Sequence, residues 1–232
     1  MVRDLHGWFV TPKEAVRIQA DLASSLEFRW RERTIRTVAG IDVSVREGIS
    51  RAAIAVLSFP ELELVHAVTA GRETTFPYIS GLLTFREGPV LLEAWAKLRD
   101  QPDLVLFDGQ GIAHPRRLGL AAHLGLWLDL PTIGCAKSRL YGVHEEPGQE
   151  KGCMAPLVDP KTDEPIGFVL RTRTRVKPVF VSPGHQIDLE RASEFVLACC
   201  TRFRLPETTR WAHRLSRGEA TVPVASPGET DF

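Results

Sequence analysis

The sequence carries no excess of either charge sign and no long apolar run. Lys plus Arg and Asp plus Glu number 29 each among 232 residues, so the formal net charge at pH 7 is zero. Binding of a polyanion through overall charge is therefore excluded, and any such site must be local. No apolar run approaches the roughly 20 residues that a membrane-spanning helix needs, so we expect no membrane association.

Cysteine is scarce, and several familiar signatures are missing. The cysteines contain no C-x-x-C spacing, which excludes a structural zinc site of that type and favours a reduced, cytoplasmic protein. The chain also lacks a Gly-x-Ser-x-Gly elbow, a P-loop and a glycine-rich dinucleotide-binding pattern. These absences argue against elbow-type serine hydrolases, P-loop nucleotidases and Rossmann dehydrogenases. The four cysteines are Cys135, Cys153, Cys199 and Cys200.

The composition that remains is typical of one globular domain. It is 44% hydrophobic and 25% charged, which is enough to form a full core. We expect residues 1–217 to form a single domain and residues 218–232 to be a disordered tail. Strand-like runs alternate with helical periodicity, which predicts an α/β fold with a central mixed sheet flanked by helices. No exposed apolar stripe stands out, so we expect a monomer.

The first part of the sheet is predicted to be an antiparallel meander. Three strand-like runs, Thr37 to Val45, Arg51 to Phe59 and Leu62 to Ala70, are separated by gaps of hairpin length. Asp42 lies within the first run, where a polar side chain is disfavoured. Gly40 beside it indicates that something approaches this backbone closely. Asp42 therefore needs a partner.

A second carboxylate, Asp108, ends the buried strand predicted to begin at Leu104. Because a lone buried carboxylate is costly, Asp108 either caps a turn or belongs to an active site. The segment from Leu104 to Lys137 is typical of a βαβ unit, whose two strands are parallel. Asp108 and Lys137 would then lie at the same carboxyl edge of the sheet, where ligands bind in open α/β folds.

Two basic clusters are candidates for binding an anion. The helix of the βαβ unit is predicted to begin at His114, so His114, Arg116 and Arg117 form either an anion site or a solvated helix end. A strand predicted over Ile166 to Val181 carries four cations at alternate positions. This cationic ladder either meets the phosphates of a nucleic acid or protects an edge strand. Its members are Arg171, Arg173, Arg175 and Lys177.

A third acid, Glu87, lies just before, or in the first turn of, a helix predicted over Pro89 to Leu98. There it either complements the helix dipole or joins Asp42 and Asp108. Three carboxylates without cysteine or histidine suit Mg²⁺, with Mn²⁺ as a substitute. Such an ion supports phosphodiester hydrolysis without a covalent intermediate, and Lys137 would add a positive charge.

Together, these motifs resemble those of the endonuclease V family, the deoxyinosine 3′ endonucleases, from about the first helix to His213. The most specific match is Asp108-Gly109-Gln110-Gly111 followed by His114-Pro115-Arg116-Arg117-Leu118-Gly119. The first-strand motif, the wedge loop with its glutamate and the lysine strand are also similar. They are Ala39-Gly40-Ile41-Asp42-Val43, Pro77-Tyr78-Ile79-Ser80-Gly81 with Phe85-Arg86-Glu87, and Gly134-Cys135-Ala136-Lys137.

The resemblance implies a ribonuclease-H-like fold and a magnesium-dependent DNA repair endonuclease. Such an enzyme hydrolyses the second phosphodiester bond 3′ to a deaminated adenine. The resemblance makes Asp42 and Asp108 metal ligands and gives them catalytic roles together with Glu87 and Lys137. His213 matches a histidine that some members place near the metal.

The resemblance also implies how the lesion is bound. From the residues alone, Tyr78 is either a core plug or an exposed wedge on a rigid turn. The resemblance makes it a wedge that fills the space of an extruded nucleotide. Hypoxanthine would enter a pocket formed partly by backbone at Gly81 and from Gly109 to Gly111. Ser80 stands where the family usually carries a second proline.

Two other functions remain as alternatives. One is a ribonuclease-H-like nuclease acting on inosine-containing RNA or on branched DNA; contact with a 2′-hydroxyl separates RNA from DNA binders. The other is a catalytically silent nucleic-acid-binding module that relies on the cationic ladder. The three acids argue against the silent module, because a pure binder does not need buried carboxylates facing a polyanion.

Overall fold

The computed structural model describes residues 2–221, and within that range eight strands form one mixed sheet. Residues 222–232, most of the expected tail, lie outside the described range. None of the described helices combines the length and apolar character required to cross a membrane. The strands are β1 (Thr37–Arg46), β2 (Ile49–Ser58), β3 (Leu64–Glu73), β4 (Leu104–Phe107), β5 (Thr132–Ala136), β6 (Met154–Val158), β7 (Pro165–Leu170) and β8 (Val179–His185). The helices are α1 (Pro12–Leu22), α2 (Leu83–Trp95), α3 (Leu120–Leu128), α4 (Leu189–Ala198) and α5 (Glu207–Ser216).

The strand order β3-β2-β1-β4-β5-β8-β7-β6 confirms the predicted meander and the parallel strands. β1 pairs antiparallel with β2, and β2 with β3. β4 lies between β1 and β5 and is parallel to both. Asp108 and Lys137 directly follow β4 and β5. They therefore lie at one edge of the sheet, as predicted.

Helices cover both faces of the sheet because its central strands are apolar on both sides. Successive side chains of a strand point to opposite faces. Val38 and Leu106 pack in one cluster with residues of α4 and α5, whereas Ala39 and Val105 pack in another with residues of α2 and α3. Asp42 shares the face of Val38, so it points toward the side that α5 covers.

The start of α2 differs from the prediction: the helix begins at Leu83, not at Pro89. The earlier turn is stabilised because Phe85 packs with Ala15 and Phe76. Glu87 consequently lies in the second turn of α2. The prediction that it precedes the helix or lies in its first turn is wrong. Glu87 is therefore too far from the start of the helix to complement its dipole.

The start of α3 also differs, since the helix begins at Leu120 and not at His114. Residues 111–119 form a loop in which the Gly119 N–H donates to the carbonyl of Gly111 at 2.9 Å. Arg117 has a φ of 57°, which no α-helix accommodates. The prediction of an anion site at a helix start beside His114 is therefore wrong.

The predicted strand over Ile166 to Val181 is two strands, β7 and β8, joined by a turn. Arg175 has a φ of 58°, which breaks the alternation of side chains. Arg171 is buried and donates to the carbonyls of Pro147 at 2.8 Å and Val176 at 2.7 Å. The cationic ladder on one strand face is therefore wrong.

Gly40 marks the place where α5 approaches β1. A Cβ at this position would lie 2.1 Å from the carbonyl carbon and oxygen of Thr208. The predicted close approach to this backbone is thus confirmed, and the approaching element is α5. Glycine lets α5 pack directly on the face of β1 that carries Asp42.

We expect Gly40→Ala to lower the free energy of unfolding by about 1–3 kcal/mol, because the added methyl group displaces α5 from β1. Gly71→Ala is the matched control, since a Cβ at Gly71 would come no closer than 3.8 Å, to the carbonyl oxygen of Ser50. Urea unfolding of both variants measures the difference. Equal loss of stability in the two variants would contradict this assignment.

Candidate active site

Asp42 and Asp108 come together because β1 and β4 are parallel neighbours. The pairing runs from Val38 opposite Leu104 to Ile41 opposite Phe107, so the next residues, Asp42 and Asp108, lie side by side. The Asp108 N–H donates to the carbonyl of Ile41 at 3.3 Å. The two side chains are only 10% and 15% exposed, respectively.

A histidine from α5 joins the two aspartates. Asp42, Asp108 and His213 each present one ligand atom within 4.8 Å of the others, and we call these residues the ligand group. His213 Nδ1 lies 3.3 Å from Asp42 Oδ2. It is buried and has no hydrogen-bond partner among the described residues. An imidazole nitrogen thus accompanies the carboxylates: the three acids alone predict oxygen ligands, whereas the family resemblance places His213 near the metal.

Glu87 reaches the same region from α2. Burial and the negative charges of Asp42 and Asp108 raise the pKa of Glu87 to about 8. Burial also raises the pKa of Asp108, although the ammonium group of Lys137 opposes that shift. Carboxyl groups that resist ionisation for these reasons are stabilised as anions by a nearby cation. The donor set therefore fits a divalent ion.

Lys137 forms an ion pair with Asp108 through Nζ and Oδ2. The backbone of Lys137 is held by Arg204, which donates to the carbonyls of Lys137 at 2.8 Å and Pro178 at 2.7 Å. Arg204 thereby connects the end of β5 to the segment that enters β8. Arg204 was missed and has no local signal in the sequence, because its side chain contacts the backbone of residues distant in the chain.

Ser216 supports Asp42 and was also missed. Its hydroxyl donates to Asp42 Oδ2 at 2.5 Å, and its carbonyl accepts a hydrogen bond from the Ser44 hydroxyl at 2.7 Å. Ser216 follows His213 by three positions, which places both on one face of α5. The three-residue spacing from His213 is thus a sequence signal that could have identified Ser216 as part of the site.

A cavity of ≈ 300 Å³, which we call the first cavity, borders the ligand group. Asp108 and Lys137 lie at the border, and backbone at Gly81 and Gly109 forms part of the wall. Tyr78 also lines the cavity, yet its side chain is 76% exposed. Of the two interpretations of Tyr78, the core plug is therefore wrong.

Two predicted binding residues lie away from the first cavity. A Cβ at Gly111 would lie 2.0 Å from the carbonyl oxygen of Pro183, so this glycine packs against β8. Arg117 forms ion pairs with Asp159 at 2.9 Å and Glu164 at 3.1 Å. Neither residue lines the cavity, and Arg116 does not line it either.

Three side chains hold the carbonyl of Gly81. Hydrogen bonds reach it from His114 Nε2 at 2.9 Å, Arg116 at 2.9 Å and Gln19 at 3.0 Å. His114 Nδ1 accepts from the Arg116 N–H at 3.1 Å, so Nε2 carries the proton. Burial lowers the pKa of His114 to about 4, which keeps its ring neutral. These residues position the wedge loop; Gln19, a polar residue on the buried face of α1, was missed.

We expect Glu87→Gln to weaken the pH dependence of stability in the metal-free protein. The pKa of Glu87 is about 8 in the folded protein against an ordinary 4.5, so the folded state binds this proton more tightly. Wild-type stability should therefore fall as the pH rises between these two values. Thermal unfolding in EDTA should place the variant above the wild type near pH 8, with the difference shrinking toward about pH 5.

Glu93→Gln is the matched control. Glu93 lies on the exposed side of α2, where it pairs with Arg72 at 2.7 Å, and its replacement should leave the wild-type pH profile in place. The same pH profile in the wild type and Glu87→Gln would contradict the burial and repulsion described for Glu87.

Known proteins share both the sequence and the architecture of this chain. The Endonuclease V family model matches residues 20–214. An endonuclease V from Methanothrix thermoacetophila is 52% identical over 220 residues, covering 95% of this chain and 97% of that protein. The crystal structure of endonuclease V from Streptomyces avermitilis superposes with a TM-score of 0.86 at 41% identity, covering 92% of this chain and 94% of that one.

A further solved relative contains nucleic acid. It is an endonuclease V from Ciona intestinalis in complex with a 23mer DNA containing an inosine followed by a ribo-adenosine. It superposes with a TM-score of 0.78 at 29% identity, covering 90% of this chain and 98% of that chain. The matched residues include both aspartate motifs and His213, and the chain belongs to the endonuclease V family and has its ribonuclease-H-like fold.

Proposed function

We propose that this protein is a DNA repair endonuclease that incises DNA at deoxyinosine, the product of adenine deamination. It hydrolyses the second phosphodiester bond 3′ to the lesion, with Mg²⁺ as cofactor and Mn²⁺ as a substitute. The observation that carries the proposal is that Asp108 belongs both to the ligand group and to the wall of the first cavity. The inosine-containing DNA bound by the Ciona relative supports the choice of lesion.

The first cavity would receive the hypoxanthine base after the nucleotide leaves the duplex. Its ≈ 300 Å³ lies at the lower end of the range for small-molecule sites. Gly81 and Gly109 have no side chains, so the base could approach the backbone there. The exposed ring of Tyr78 is free to fill the gap in the duplex.

Asp42 and Asp108 would hold the cation, with His213 as a third donor. The fit rests on the two buried carboxylates and on the unpartnered Nδ1 of His213. When bound, a magnesium ion supplies Lewis acidity toward the phosphodiester and promotes ionisation of water.

The remaining side chains would accept a proton from water and stabilise negative charge on the phosphate. Glu87 is suited to accept a proton from the attacking water, because a cation held by Asp42 and Asp108 would offset the negative charges that raise its pKa and so favour its carboxylate form. Lys137 Nζ, paired with Asp108 beside the cavity, would stabilise negative charge on a phosphate oxygen. Ser216 keeps the carboxylate of Asp42 oriented through its hydrogen bond to Oδ2.

The proposal includes one catalytic domain over residues 1–217, acting as a monomer in the cytoplasm. One sheet shared by all eight described strands supports the single domain. The four cysteines form no disulfide, which supports a reducing compartment.

We expect incision of a duplex with one deoxyinosine to require Mg²⁺ and to stop in EDTA. The nick should lie one nucleotide beyond the lesion on its 3′ side. Asp42→Asn and Asp108→Asn should each slow incision by at least about 100-fold, because loss of a direct ligand exceeds the usual cost of losing its supporting contacts. Gel analysis of end-labelled strands measures both position and rate.

Asp100→Asn is the control for these variants, since Asp100 is exposed and lies outside the site; its rate should equal that of the wild type. Wild-type protein that binds this DNA in Mg²⁺ without cutting it would overturn the proposed reaction. Faster cleavage of matched inosine-containing RNA would replace DNA by RNA as the substrate.

We expect Tyr78→Ala to weaken binding of inosine-containing duplex by roughly 10-fold to 100-fold, because an exposed aromatic ring that stacks on bases is lost. Binding of Mn²⁺ should be unchanged. Val65→Ala, which removes another exposed apolar side chain, is the control. Fluorescence anisotropy measures DNA affinity; equal affinity in wild type and Tyr78→Ala would contradict the wedge role.

A further inference from the structure

A second cavity borders the ligand group. It has a volume of ≈ 440 Å³ and is lined by residues of β1 and by the end of α5. Lys137 lines both cavities, whereas the wedge loop lines only the first. The first cavity includes Asp108, and the second includes Asp42 and His213. The ligand group therefore lies at the boundary between the two cavities.

The second cavity is rich in basic side chains. Arg46 and Arg217 line it together with Lys137 and His213, and Asp42 is its one acidic lining residue. Arg217 pairs with Glu219 at 2.9 Å, but both side chains are about half exposed, so this pair is weak. A nucleic-acid strand, which brings several phosphates close together, can compete with Glu219 for Arg217. The lining suits a phosphodiester.

Arg46 lies on the same strand face as Asp42, and Arg217 lies on the same helix face as His213. Arg46 follows Asp42 by four positions on β1, so both side chains point to one face of the strand. Arg217 follows His213 by four positions and caps α5, which puts it one turn further along the same face. A row of positive charge thus continues outward from the ligand group.

The proposed reaction gives this row a direction along the nucleic acid. With the lesion base in the first cavity and the cut bond at the ligand group, the strand passes from the first cavity toward the second. The cut bond lies 3′ to the lesion, so chain entering the second cavity lies 3′ to the cut.

We propose that the second cavity is a subsite for the DNA strand 3′ to the cut bond, with Arg46 and Arg217 contacting its phosphates. This subsite rests on the proposed function, which supplies the polarity of the strand. The subsite binds a part of the substrate strand that the recognition of the lesion base does not involve.

The test measures affinity for three deoxyinosine duplexes in which the lesion strand is full length, ends at the first nucleotide 3′ to the cut, or is shortened equally on the 5′ side. Arg46→Ala and Arg217→Ala should each weaken binding of the full-length and 5′-shortened duplexes by about fivefold or more. Each should also reduce the slope of log affinity against log salt by about one. On the 3′-shortened duplex the variants should bind as the wild type does.

Arg99→Ala, an exposed arginine outside both cavities, is the control and should match the wild type on all three duplexes. Arg46→Lys should restore most of the affinity, since a phosphate contact needs charge more than shape. If the variants lost equal affinity for the 3′-shortened and 5′-shortened duplexes, or lost none, the subsite would be overturned. Incision at deoxyinosine by the wild type would still leave the proposed function standing. Failure of the wild type to incise would overturn the proposed function, and the subsite with it.

Discussion

Repulsion among three carboxyl groups is the constraint to which the rest of the site responds. Asp42, Glu87 and Asp108 come from three different elements and meet where water is largely excluded. Lys137 offsets the charge of Asp108, and Ser216 donates a hydrogen bond to Asp42. Burial and the charges of the two aspartates raise the pKa of Glu87 to about 8, against the opposing charge of Arg86. The region is therefore built to gain stability from a cation.

The scaffold holds these groups together through close backbone packing. The parallel pairing of β1 with β4 sets Asp42 beside Asp108, and the approach of α5 to Gly40 brings His213 to them. A missing side chain at Gly111 allows the loop after β4 to pack against β8. In each case the position of a functional side chain depends on backbone contact between elements distant in sequence.

The sequence predicted the elements that have strong local signals. Alternating apolar runs identified the meander, and the βαβ pattern placed Asp108 and Lys137 at one sheet edge. It could not place the starts of α2 and α3, because Phe85 extends one helix through distant packing and Arg117 interrupts the other through its backbone conformation. The roles of His114 and Arg116 in holding Gly81 were unpredictable for the same reason. They depend on a contact between loops.

The site is completed only when α5, near the end of the described chain, packs on β1. Ribosomes make chains from the amino end, so β1, β4 and their aspartates emerge well before residue 213. Until α5 packs on β1, Asp42 lacks both Ser216 and the nearby imidazole, and the face around Gly40 is uncovered. This contact joins residues 42 and 213, so it cannot form before α5 has been synthesised. Incomplete chains therefore carry the three acids of the site without the hydroxyl and the imidazole that α5 places beside Asp42.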